Sequence, residues 1–135
     1  MKKLLIIIFL GFICLLNAEI KSINVLELEK LIKVGIKIID IRMPKELNET
    51  GIIPTSYRLN FYKKDGKINR DKWLNAFIRL VRDRHLKFVI VSKDGEKAKL
   101  GATLLQDLKG YKKPYYLKGG INSWILEQKK IIYIK

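Results

Sequence analysis

Apolar positions along the chain recur in two rhythms, and the switches between them mark out its elements. In "INVLELEKLIKVG", Val25, Leu28, Leu31 and Ile32 fall three or four residues apart and predict an amphipathic helix. Asn24 is placed to cap that helix and Gly35 to end it. "IKIIDI", starting at Ile36, is short and β-branched, which predicts a buried strand. "PKELNET" opens on Pro44, whose fixed φ suits the first residue of a helix, and Gly51 stops it. "NRDKWLNAFIRLVRD" sets Trp73, Ala76, Phe77, Leu80 and Val81 on one helical face. "KFVIV" reads as a second central strand, "EKAKLGATLLQDLKG" as a helix closed by Gly110, and "PYYL" as a third strand. "GINSWILEQ" suggests a short helix, and "IIYI" a terminal strand or extended tail. Strands alternating with helices predict an α/β fold: a central, mostly parallel sheet with helices on both faces.

The first residues break this alternation. "MKKLLIIIFLGFICLLNA" carries two lysines, then 13 uncharged residues from Leu4 to Leu16, then Asn17 and Ala18. This pattern is expected of an export signal over residues 1–18, and the run is shorter than the roughly 20 apolar residues of a membrane span. Removal after Ala18 would leave residues 19–135 as one domain in the periplasm. An uncleaved segment would instead anchor it in the inner membrane, facing the periplasm. Cys14 is the sole cysteine and lies inside the signal, so the mature chain is expected to hold no disulfide, Cys-bound metal or persulfide.

Charge changes the picture less than its size suggests. The net charge of +15 becomes +13 without the two leading lysines, a balance that favours anionic partners. Yet the lysines are spread over the whole length, with none of the aromatic interleaving of a single-strand binder. No specific nucleic-acid partner is expected, and the membrane is reached only through an uncleaved leader. No His, Cys or carboxylate spacing suggests a metal, and no cofactor is expected.

Candidate chemistry gathers where the strands end, because loops at the C-terminal edge of a parallel sheet are where α/β proteins place their sites. "DIRMPKE", "SKDGEK" and "LKGG" are the three loops so placed. "IIDIRMPKEL", with Asp40, Arg42 and Glu46, "TGIIPTS", with Gly51, Ile53 and Pro54, and "GYKKPYYLKGGINSW", with Gly110, Tyr111, Gly119, Gly120 and Trp124, together resemble the signatures of the rhodanese homology domain. That is the module of thiosulfate and other sulfurtransferases. The similarity covers about residues 22–130, and it departs at Ile52, where the family usually has a histidine.

The resemblance implies that Ser92, Lys93, Asp94, Gly95, Glu96 and Lys97 form the active-site loop. In active members that loop begins with a cysteine, and its amides with the next helix's N-terminus cradle a persulfide or an oxyanion. Here the first position is Ser92, with loop length and Gly95 retained. Sulfur transfer needs a thiolate, which a serine hydroxyl cannot replace. An activated serine needs a base, and His85, the only histidine, precedes the strand and belongs at the far end of the sheet. Asp40 and Arg42 are expected to tie loops together, and Glu46, Gly119 and Gly120 to support the pocket. Trp73 and Trp124 are expected in the core, and Tyr115 and Tyr116 on opposite sheet faces. The expected function is that of a non-catalytic module binding a protein partner or a small oxyanion. The alternative is a sulfurtransferase-related or serine-dependent enzyme in the same pocket.

Overall fold

The structure, a computed structural model, describes residues 19–135. The expected export signal and Cys14 lie outside the described residues. In chain order the elements are β1 (Lys21–Ile23), α1 (Val25–Lys33), β2 (Lys37–Asp40), α2 (Pro44–Thr50), β3 (Tyr57–Arg58), α3 (Arg70–Leu80), β4 (Phe88–Val91), α4 (Glu96–Lys109), β5 (Pro114–Leu117) and α5 (Gly120–Leu126). The five strands form one sheet in the order β1-β5-β4-β2-β3, every pairing parallel. This is the α/β architecture that the alternation of periods predicts.

Central strands read as unbroken apolar runs because helices cover both faces. All four residues of β4 are buried, and successive residues serve different layers. Ile38 and Val89 face the core shared with Val25 and Leu28 of α1 and with Ile121 and Trp124 of α5. Ile39 and Ile90 face the other core, with Trp73 and Phe77 of α3 and Ala98 and Leu105 of α4. Tyr115 packs against the first core and Tyr116 against the second. Phe61, Trp73, Phe77, Phe88 and Tyr111 meet there in edge-on or tilted contacts, with ring centroids 4.7 to 5.5 Å apart.

Two strands have no counterpart among the sequence-predicted elements. In β1 only Ile23 is buried, and β3 is two exposed residues, so neither shows an apolar rhythm. Pairing with Tyr115–Leu117 and with Ile39–Asp40 imposes their conformation. The "IIYI" segment is an extended tail that makes one antiparallel bridge, with Ile52 and Ile132 exchanging both amide bonds at 2.9 Å. No helix among the described residues is long and apolar enough to cross a membrane.

Candidate functional site

The sheet order places β4 between β5 and β2, so the loops leaving these three strands sit side by side. Val91 ends the buried strand, Ser92 follows it, and Gly95 turns the chain into α4 with φ of 97°, a left-handed value that favours glycine. A Cβ at Gly95 would also lie 3.0 Å from the Leu117 carbonyl oxygen.

The loop's orientation is fixed from behind by α5. The Ile121 amide donates to the Ser92 carbonyl at 2.9 Å, and the Asn122 amide to the Lys93 carbonyl at 3.1 Å. In a trans peptide, C=O and N–H point in opposite directions. No peptide bond among the described residues is cis, so turning those two carbonyls toward α5 turns the Lys93 and Asp94 amides away from it. Among the described residues neither amide makes a hydrogen bond. The approach that allows this is so close that a Cβ at Gly120 would stand 2.3 Å from the Ser92 carbonyl oxygen. Gly119 and Gly120, with φ of 73° and 59°, thus support the loop from its rear.

Ser92 is 3% exposed, and its Oγ accepts from the Gly95 amide at 3.1 Å and the Ala98 amide at 3.2 Å. The Asp94 carboxylate accepts from the Glu96 amide at 3.1 Å, covering one more donor at the start of α4. In front of the loop lies a cavity of about 370 Å³, lined by Ser92, Lys93, Asp94 and Lys97 of the loop, and by Ile41, Arg42, Met43, Glu46, Tyr62 and Gly66. Lysines and carboxylates both line it, so its field is mixed in sign. His85 lies in the turn before β4, at the opposite end of that strand.

Arg42 touches the cavity but is committed to the protein. Its Nε and Nη2 hold the Asp40 carboxylate at 3.0 and 2.9 Å, Nη1 reaches Thr50 Oγ1 at 2.7 Å, and Nη2 reaches the Gly51 carbonyl at 2.8 Å. With Arg42 2% and Asp40 0% exposed, this ion pair clamps the end of β2 to the end of α2. Glu46 is likewise engaged, its carboxylate accepting from the Met43 amide at 2.9 Å at the start of α2.

Tyr62, like Gly66, is a lining residue that sequence reasoning misses. Its hydroxyl is buried without a hydrogen-bond partner, and the Lys97 ammonium lies 4.5 Å from its ring centroid. The only sequence signal is an aromatic pair in a lysine-rich loop: Phe61 fills the core, and its neighbour is left for the cavity. No group of three or more metal-ligating side chains occurs among the described residues.

The family model of the rhodanese-like domain matches residues 24–127. The chain belongs to the rhodanese-like domain family. No curated protein matches it. Its fold is similar to a rhodanese-related protein of Thermoplasma volcanium, 24% identical with a TM-score of 0.66, covering 84% of this chain and 99% of that one. It is similar to the polysulfide-sulfur transferase homodimer of Wolinella succinogenes, 20% identical with a TM-score of 0.66, covering 94% and 88%. It is also similar to a thiosulfate sulfurtransferase of Pseudomonas aeruginosa, 14% identical with a TM-score of 0.70, covering 86% of this chain but 21% of that one. Within the rhodanese-like domain, the cavity lies where the loops after β2 and β4 meet.

Proposed function

We propose that this rhodanese-like domain is a non-catalytic binding module whose cavity receives a small oxyanion, or an oxyanionic group carried by a protein partner. The carrying observation is the state of Ser92. Its Oγ, at the position where the family resemblance puts the nucleophilic cysteine, is buried and accepts two amide bonds. The sole histidine lies at the other end of the strand, and the nearby Glu46 carboxylate is occupied at the start of its own helix. Ser92 therefore acts as a fixed acceptor that shapes the loop.

Support for an anionic ligand comes from the groups left over. The Lys93 and Asp94 amides and the Lys97 ammonium are donors around one cavity, and the 14-residue helix α4 starts beside them. Asp94 and Glu46 oppose a highly charged ligand. The proposed place of action is the periplasm, on the strength of the leader pattern in residues 1–18, with the domain either released or held at the inner membrane.

The test is a thiosulfate sulfurtransferase assay on residues 19–135 beside Ser92→Cys, with cyanide or a dithiol as acceptor. Background turnover by the natural chain and gain of turnover by the variant are expected. Thiosulfate or sulfate should also shift the amide resonances of Lys93, Asp94 and Lys97 in the natural chain. Turnover by the natural chain overturns the non-catalytic reading, and unmoved resonances overturn the anion.

A further inference from the structure

The opposite end of the sheet, where the strands begin, has a different character. Lys21 opens β1, Lys113 precedes β5 and Lys87 precedes β4, so three adjacent strands each start at a lysine. Neighbouring strands lie about 4.8 Å apart, which sets these cations in a row. Lys33 ends α1 at the same edge, and the Lys112 amide bonds the Arg84 carbonyl at 2.9 Å, joining the two loops that carry Arg82 and Lys112. All six side chains are exposed and none forms an ion pair among the described residues. Of the nearby acids, Asp83 accepts from the His85 amide at 2.8 Å, and Glu19 lies 3.9 Å from Lys99.

Apolar side chains sit among these cations. Val34 is 78% and Leu86 38% exposed, and with Leu31 and Ile36 they line a depression of about 320 Å³ between the end of α1 and the loop before β4.

We propose that this end of the sheet docks on an anionic bilayer surface. The lysines lie over lipid headgroups, Val34 and Leu86 enter the interface, and the cavity beside Ser92 faces away from the membrane. Cations around an exposed apolar centre suit a lipid interface, where each juxtamembrane lysine contributes about fivefold in affinity. A nucleic acid would make no use of the apolar centre, and a single strand would call for stacking aromatics.

The test is sedimentation of residues 19–135, which supply the sheet, both helical layers and both cores, with phosphatidylcholine vesicles containing or lacking phosphatidylglycerol. Binding to the anionic vesicles alone, weakened by salt, is expected. Lys87→Glu with Lys113→Glu should weaken it at least about tenfold. Lys45→Glu with Lys64→Glu, an equal charge change at the cavity end, should weaken it far less. Val34→Ser should weaken it with no charge change. Equal losses from the two charge-reversed pairs, no loss from Val34→Ser, no binding by the natural chain, or displacement of the vesicles by a single-stranded oligonucleotide each overturn the proposal.

Discussion

Replacing Gly120 with alanine tests how the loop after β4 is held. The added Cβ would stand 2.3 Å from the Ser92 carbonyl oxygen and 2.5 Å from that of Lys93, atoms already bonded to the α5 amides. Backbone cannot yield as a flexible side chain can, so loop and helix must separate. Left-handed backbone costs a residue with a Cβ about 1–2 kcal/mol. Overpacking adds about 1–3 kcal/mol, for a total of about 2–5 kcal/mol. Gly110→Ala separates the two contributions, because Gly110 has φ of 72° and a methyl there would meet nothing within 4 Å, so it carries the backbone cost alone. Urea unfolding of the two variants beside the parent should show Gly120→Ala losing about 1–3 kcal/mol more than Gly110→Ala. In thermal unfolding that difference corresponds to roughly 4–12 °C for a domain of this size. Equal losses in the two variants would refute the claim that α5 and the loop are in fixed contact.

Further expectations concern the clamp and the base of the sheet. Arg42→Met leaves Asp40 buried without its cation and should cost about 3–5 kcal/mol in chemical unfolding, while Asp40→Leu with Arg42→Met should cost less than Arg42→Met alone. Tyr111 has its pKa raised above 10.0, chiefly by burial, with the Arg84 guanidinium opposing the shift. Its hydroxyl donates to the Val81 carbonyl and accepts from Arg84. A raised folded-state pKa means that its stabilisation is complete below the unfolded value near 10 and is lost as pH climbs through the folded one. Alkaline unfolding followed by tyrosinate absorbance should therefore be less steep in Tyr111→Phe, and identical profiles would remove the tyrosine from the cause.

The fold was legible wherever one residue type dictates one backbone state or a period repeats. Asn24 caps α1 by accepting the Glu27 amide at 2.8 Å, Pro44 opens α2, and Trp73 and Phe77 bury the predicted face of α3. Leu74 is buried as well, outside the predicted stripe. The strands β1 and β3 stayed hidden because their partners, not their own residues, make them strands. At the site, Ser92 and its neighbours could be placed by the order of loops, and so could the glycines. The cavity's Tyr62 could not, since it comes from a loop with no regular element of its own, brought in by the path between β3 and α3. The tie between Arg42 and Asp40 was expected, but not that Arg42 also reaches Thr50 and Gly51, eight and nine residues on, because those partners converge only in three dimensions.

The pairing of β1 with β5 has a consequence for when this protein becomes a protein. Lys21, near the start of the described chain, finds its partner in Tyr115, near the end, and the Ile52–Ile132 bridge closes later still along the sequence. Contacts so distant along the chain form only after the later partner has been synthesised, and their loop-closure entropy slows them further. The first strand therefore waits, unpaired, until Tyr115–Leu117 have emerged. A chain whose first strand stays unpaired for so long a stretch of synthesis stays threadable, which suits the proposed passage through a membrane pore before it takes its shape.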